Sequence, residues 1–236
     1  MGFYLNGGGA AGDVSGYNKG KVEELRDSIN NTAKACGDAV VEELHSGIVV
    51  PMSSKWFAEE AQDYFEGFAT AVKECGVTIK EVFDQFRANV ESTGGEWATA
   101  TGGEAPTLAA IDDVELNLDV SAILNMNGAG DRSLDEDGVQ GIVDSIPTVE
   151  AAIKSRLTGL ANQLNAETAF LGHGQGAAVQ ACFVKVAEAV HQIFNYLLSG
   201  DDALSGALKA FKEKYATSAT NVATSFNNAD VTITKG

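Results

Sequence analysis

The chain has 236 residues, of which 44% are hydrophobic, and a formal net charge of −17. The hydrophobic content is that of a globular protein, and the acidic charge repels phosphate backbones and anionic membrane surfaces. We therefore expect a folded protein that does not bind nucleic acid. No run of about 18 apolar residues is present, so we expect no membrane span. The glycine-rich stretch 1–20 lacks the basic start and apolar core of a Sec signal peptide.

Four short sequence matches recur in the same order at nearly constant spacing. They are residues 11–15 with 129–133, 22–29 with 139–146, 56–58 with 170–172, and 113–116 with 230–233, at offsets of 118, 117, 114 and 117. Repetition at a fixed period indicates that one structural unit has been duplicated. We interpret the chain as two units, residues 1–118 and 119–236.

The first unit carries two apolar stripes at helical spacing. One stripe consists of Val22, Leu25, Ile29, Ala33, Cys36, Val40 and Leu44, and the second runs from Phe57 to Val90. Steps of three and four residues predict two amphipathic helices, and the second stripe favours an antiparallel helix pair. Gly47 and Pro51 predict the break between them, with Ser53 or Ser54 as the N-cap of the second helix.

The second unit repeats this pattern. Its stripes are Val139 to Leu164 and Phe170 to Leu197, and Leu204, Leu208, Phe211 and Tyr215 continue the second one. Pro147 has no amide hydrogen to donate, which predicts that it lies in a first helical turn capped by Ser145. The polar residues 199–202 predict a break in the last helix.

The stretches that follow the long apolar stripes have no helical spacing of apolar residues. Residues 93–103 are small and polar, which predicts a flexible linker between the units. Residues 114–118 alternate between apolar and polar types, which predicts a short strand. The matching residues 231–233 could pair with that strand in a small β-ribbon formed by the two unit tails.

The chemically reactive residues do not form a recognisable active site. Three cysteines (Cys36, Cys75 and Cys182) lie at apolar helix positions, which favours buried free thiols, although a Cys36–Cys75 bridge is an alternative. His45, His173 and His191 have no neighbours at metal-ligand spacing. The acidic run 131–138 lacks the glutamate that closes a calcium loop. We therefore predict no catalytic, cofactor-binding or metal-binding residues and expect that the protein is not an enzyme.

One short motif connects the chain to a known family. The triplet Trp56-Phe57-Ala58, and its counterpart Phe170-Leu171-Gly172, resemble the turn before the second helix of WXG-type proteins. These are small helical hairpins that type VII (ESX-type) systems secrete. The resemblance covers residues 20–92 and 136–215. It departs from the family in the tandem arrangement, and none of the five tyrosines is followed four residues later by the Asp or Glu of the family's export signal.

These observations lead to one fold and two functions. We expect an all-α protein in which two tandem antiparallel helical hairpins form a four-helix bundle. The resemblance implies a non-enzymatic protein that is secreted without a Sec signal peptide and acts through protein–protein contacts, with no cofactor. The alternatives are a cytoplasmic location and a structural or assembly subunit of a phage or secretion apparatus. The partner would be another protein or further copies of the chain.

Overall fold

The computed structural model describes residues 17–124, 133–171, 175–198, 204 and 206–215. The elements in chain order are α1 (Lys19–Leu44), a π-helical turn (His45–Val49), α2 (Val50–Ser53), β1 (Trp56–Phe57), α3 (Glu59–Thr101), α4 (Ser121–Leu124), β2 (Ser133–Leu134), α5 (Glu136–Thr168), a 3₁₀ turn (Ala169–Leu171) and α6 (Gln175–Leu198). Residues 206–215 are also helical. None of these helices is both long and apolar enough to cross a membrane.

Four long helices form the bundle, which confirms the predicted all-α fold. Helix α1 packs against α3 and α5, and α6 packs against α3 and α5 on the opposite side. The apolar stripes of all four helices meet in one continuous core. Six residues of this core are large side chains from both halves of the chain: Trp56, Phe65, Phe68, Phe83, Phe183 and Phe194. The apolar face of each helix is therefore buried against other helices of the same chain.

The first helix of the bundle has a defined start, and the turn after it differs from the prediction. Asn18 caps α1, its side chain accepting from the amide of Lys21. The predicted break at Gly47 and Pro51 is wrong, because the chain continues through the π-helical turn into α2. Buried Ile48, Val49 and Met52 extend the apolar stripe of α1 through these turns. Burial of that stripe keeps the chain helical where glycine and proline would otherwise interrupt it.

The predicted caps of the later helices are also wrong. Ser53 and Ser54 lie at the end of α2, and α3 begins after Ala58 in extended conformation. Asp135 caps α5 through the amide of Gly138, so the predicted cap, Ser145, lies inside this helix.

Pro147 also lies inside α5 rather than in a first turn. It is exposed, while Ile146 and Val149 beside it are buried. Packing of the apolar stripe against the bundle thus offsets the cost of a proline within a helix.

Helix α3 is longer than the sequence indicates. It covers 43 residues and includes most of the predicted linker at 93–103, which is therefore not a flexible segment. Val90, Gly94 and Ala98 continue its buried stripe at steps of four. The helix ends where Gly102 adopts a left-handed conformation with φ of 68° and the amide of Gly103 donates to the carbonyl of Ala98. Glycine adopts this conformation without a steric cost, which explains the position of the helix end.

The strand prediction is wrong in its location. Residues 114–118 are extended but form no strand, and the only described strands are β1 and β2, which pair antiparallel with Trp56 opposite Leu134. The alternation of 114–118 instead reflects an extended segment that buries one side against helices α1 and α3. The proposed ribbon partner, 231–233, and the predicted break at 199–202 fall outside the described residues. The division into units at residue 118 stays a prediction.

Candidate functional site

The most developed recognition surface in the structure is the outer groove between α1 and α3. An extended segment of eighteen residues, 103–120, which we call the strap, lies in this groove. At about 3.3 Å per residue the strap spans roughly 60 Å, close to the roughly 65 Å of α3 at about 1.5 Å per residue. The strap therefore runs back along nearly the whole bundle, from the end of α3 to α4 near α2.

Apolar side chains on one side of the strap are buried in the groove. The buried residues of this side are Pro106, Leu108, Ile111, Val114, Leu116, Leu118 and Val120. From Val114 to Val120 every second residue is buried and the residues between them are exposed. Successive side chains of an extended chain point to opposite sides, so one side of the strap faces the groove and the other faces solvent.

Three glycines let the strap approach the helix backbones. A Cβ atom added at Gly76 would lie 2.4 Å from the carbonyl oxygen of Val114, and one at Gly37 would lie 2.5 Å from the side chain of Leu116. At Gly94 the same addition would meet Pro106 at 2.5 Å. Glycine is the residue that permits close contact between two backbones. The groove is thus shaped by the absence of side chains on both helices.

A polar cluster on α1 anchors the centre of the strap at Asp112. Arg26, Asn30 and Lys34 lie one turn apart, and each donates to this carboxylate, at 2.8, 3.1 and 2.8 Å. The Asn30 side chain also accepts from the amide of Asp112 at 2.8 Å. The hydrogen bonds from Lys34, then Arg26 and then Asn30, hold the pKa of Asp112 well below its usual range. We call these four residues the aspartate clamp.

Side chains of α3 bind the backbone of the strap from the other side. Asp84 accepts from the amide of Ile111 at 3.2 Å, and Glu91 accepts from the amide of Leu108 at 3.1 Å. Arg87 donates to the carbonyl of Leu108 at 2.7 Å and forms ion pairs with Asp84 and Glu91. Burial tends to raise the pKa of Asp84, but the hydrogen bonds from Arg87 and the Ile111 amide lower it on balance.

The arrangement of both helices is that of a peptide-binding groove occupied by the protein's own chain. Apolar side chains enter the groove at alternate positions, while side chains on the helices bind backbone amides and carbonyls. Sequence reasoning missed this groove. The signal for it was the spacing of Arg26, Asn30 and Lys34 on one side of α1 together with the alternation after Asp112.

The two predicted turn motifs lie at opposite ends of the bundle. Trp56 and Ala58 are fully buried, and Phe57 is half-buried beside them in β1. Leu171 is also buried and Phe170 is half-buried, both in the 3₁₀ turn, while Gly172 falls outside the described residues. The first triplet thus leads directly into α3, as the sequence indicates, and it adds a short strand that the sequence did not predict.

Each turn contacts a helix end that belongs to the other half of the chain. The ring of Trp56 packs edge-on against Phe211, with ring centroids 6.4 Å apart. At the other end, the indole nitrogen of Trp97 donates to the carbonyl of Leu171 at 3.2 Å. Phe211 follows Trp97 by 114 residues, the same offset that separates the two turn motifs. The two contacts thus involve residues at the spacing of the predicted repeat, although one is a contact between rings and the other is a hydrogen bond.

The remaining reactive side chains are separate from this groove or buried. Cys36, Cys75 and Cys182 are free and buried, and burial raises the pKa of Cys75 and of Cys182 to about 12. His191 lies 3.2 Å from Glu150 across α5 and α6. In the described part of the chain, no three His, Cys, Asp or Glu side chains gather as ligands for a metal ion.

Comparisons with protein-family models, with curated proteins and with solved structures find no match to this chain.

Proposed function

We propose that this chain is a non-enzymatic helical protein of the WXG-like class, secreted by a type VII system, that acts as a carrier through contacts with another protein. The observation that carries the proposal is that the apolar stripes of α1, α3, α5 and α6 cover each other within one chain. Small hairpin proteins need a second hairpin to cover such stripes. Here the chain supplies both.

The exposed surface favours a self-contained carrier over an assembly subunit. Among the described residues the large apolar side chains that stay exposed are Val50, Val77, Leu198 and Tyr215. Subunits that build rods or rings present contiguous apolar patches to their neighbours. Four single side chains on different elements do not form such a patch.

A second line of support is the open groove beside the strap. It encloses about 510 Å³ and is lined by Lys73, Val77, Lys80 and strap residues 113–117. Lys73 and Lys80 are balanced by Asp113 and Glu115 of the strap, so the exposed apolar side chain of Val77 is the contact that this groove offers to an extended segment. This groove is where we expect a protein partner to bind.

Export is tested in a host that produces the chain and has a type VII system. Deleting the secretion ATPase should retain the protein in the cells and remove it from the culture medium, with a cytoplasmic enzyme measured in parallel to detect lysis. Unchanged amounts in the medium would contradict the export part of the proposal.

A further inference from the structure

The strap is held in two different ways along its length. Between residues 104 and 112, side chains of α1, of α3 and of Tyr17 form hydrogen bonds or ion pairs with Glu104, Thr107, Leu108, Ala110, Ile111 and Asp112. Between residues 113 and 124, which we call the distal segment, the described chain shows one such contact with a helix, the ion pair of Asp113 with Lys80 at 4.0 Å. The other hydrogen bonds of the distal segment lie within it, around Asp119 and Val120. The polar attachment to the bundle therefore nearly ends at Asp112.

Apolar side chains hold the distal segment against the bundle. They are Val114, Leu116, Leu118, Val120 and Ile123, each at most 7% exposed. Their burial must offset the conformational entropy that the twelve residues of the segment lose when they are ordered. In residues 104–112, hydrogen bonds to charged side chains add to the apolar burial. We therefore expect the distal segment to separate from the bundle at a lower free energy than residues 104–112.

The chain is long enough for the distal segment to leave the groove while its neighbours stay in place. On one side the aspartate clamp fixes Asp112, and on the other Ser133 of β2 pairs with Phe57. The twenty residues between Asp112 and Ser133 can span roughly 65 Å at about 3.3 Å per residue. Helix α3 covers the distance between the two anchors, from Asp84 to Glu59, in roughly 40 Å at about 1.5 Å per residue. Opening of the distal segment therefore breaks neither the clamp nor the sheet.

The groove under the distal segment has the shape of an extended chain. A Cβ atom added at Gly37 would lie 2.5 Å from the side chain of Leu116, and one at Gly76 would overlap the carbonyl oxygen of Val114. A helix is about 10 Å across and would collide with α1 and α3 at this depth. Sites for apolar side chains at every second residue instead suit an extended segment, which has that period. The distal segment is itself an example of the chain that this groove accepts.

We propose that the distal segment opens at the junction of Asp112 and Asp113 and gives its place in the groove to an extended segment of a partner protein that has apolar residues at every second position. The inference rests on the protein-contact part of the proposed function and is independent of export. While the distal segment is closed, a partner meets the side chain of Val77 beside it. Once the segment opens, the sites of Val114, Leu116, Leu118 and Val120 become free. The distal segment thus competes with the partner and lowers its affinity in proportion to the fraction of open chains.

Thiol labelling under native conditions tests the opening. Leu116→Cys and Leu108→Cys place a thiol at two similarly buried leucines of the strap, 3% and 4% exposed, on either side of Asp112. We expect Leu116→Cys to be labelled at least about tenfold faster than Leu108→Cys, because local opening exposes only the first of them. The three native thiols are buried, so the unmodified chain gives the background rate. Equal rates would overturn the proposal, because both leucines would then be exposed in the same opening.

Limited proteolysis of the unmodified chain measures the same opening without a substitution in the core. A glutamate-specific protease can cut after Glu104 or after Glu115, both of which are exposed in the strap. Lys19 and Tyr17 hold Glu104 in place, whereas no hydrogen bond or ion pair of the described residues holds Glu115. We expect the cut after Glu115 to be at least about tenfold faster, because a protease acts on locally opened backbone. A cut after Glu104 at the same rate or faster would contradict the proposal.

A peptide with the sequence of residues 113–120 tests the exchange of occupants. Added in excess to the Leu116→Cys variant, it should bind the vacated groove and raise the labelling rate at least about threefold, with saturation. A control peptide that carries Leu116→Asp and Leu118→Asp should have no effect. No acceleration, or equal acceleration by both peptides, would overturn the displacement of the distal segment. Slower labelling would also overturn it, because the peptide would then bind beside the closed segment, and the site given under the proposed function would stand.

Discussion

At the scale of single residues, the strap depends on one carboxylate and a few missing side chains. Asp112 accepts hydrogen bonds from three residues of α1, and Gly37, Gly76 and Gly94 leave the space into which the strap fits. The carboxylate fixes the strap along the helix axis, while the glycines allow its apolar side chains to reach the core. The position of the strap and its distance from the helices therefore depend on different residues.

Asp112→Asn should lower the midpoint of urea denaturation near neutral pH, because it removes the charge that Lys34 and Arg26 face. The pKa of Asp112 is lowered in the folded state from its ordinary value of 3.8, so its contribution to stability is present above that value. It is lost as the pH falls below 3.8 toward the folded pKa. The difference between wild type and variant should therefore shrink in that range, as measured by urea denaturation across pH. Asp113→Asn, at an exposed site 4.0 Å from Lys80, is the control and should change the midpoint much less.

Gly76→Ala should destabilise the protein by about 1–3 kcal/mol, because the new methyl group would lie 2.4 Å from the Val114 carbonyl oxygen and displace the strap. Gly95→Ala is the matched control in the same helix, where nothing lies within 4 Å of the added atom. It should stabilise by about 0.5–1 kcal/mol through helix propensity alone. Urea denaturation measures both. Equal changes in the two variants would mean that the strap does not press on α3.

At the scale of secondary-structure elements, the two turns and the helix ends they contact connect the halves of the chain. Trp56 contacts Phe211 at one end, and Trp97 contacts the Leu171 carbonyl at the other. Neither contact lies within one helix pair. Separation of the pairs would expose the buried indole of Trp56 and leave the Leu171 carbonyl without its donor.

A double-mutant cycle measures the contact between Trp56 and Phe211. Trp56→Ala alone should cost about 3–5 kcal/mol, since it empties a fully buried site. The coupling with Phe211→Ala should be about 0.5–1.5 kcal/mol, the range for an aromatic pair. Trp56→Ala combined with Trp97→Ala, at opposite ends of the bundle, should be additive within about 0.5 kcal/mol. A coupling energy of zero between Trp56→Ala and Phe211→Ala would show that the two rings do not interact.

The elements also show what the sequence could and could not predict. The apolar stripe of α1 was predicted residue by residue, and that of α5 from Val139 to Leu157, because burial on one face imposes a period that is visible locally. The continuation of α3 through residues 93–101 was missed, because Gly94 and the small residues around it are typical of linkers. Only the strap, which comes from elsewhere in the chain and places Pro106 against Gly94, explains them. Because residues 114–118 pack against helices and not against another strand, the predicted strand is absent there.

At the scale of the whole molecule, one chain builds an arrangement that two hairpins would otherwise form by association. Helices α1 and α5 pack antiparallel, with Arg156 bonded to Glu42 and Glu43 at 2.8 and 3.4 Å, and α3 and α6 pack antiparallel on the other side. Covalent connection of the pairs removes the dependence of the fold on protein concentration. The strap is the first part of that connection, and it also covers the outer groove of the first pair.

The measurement that tests this account most directly is sedimentation of the purified full-length chain, with circular dichroism on the same sample. We predict a helical monomer with the chain mass of 24.6 kDa, unchanged over a hundredfold range of protein concentration. A helical dimer that dissociates and loses its helix signal on dilution would contradict it, because the apolar stripes would then be covered between chains.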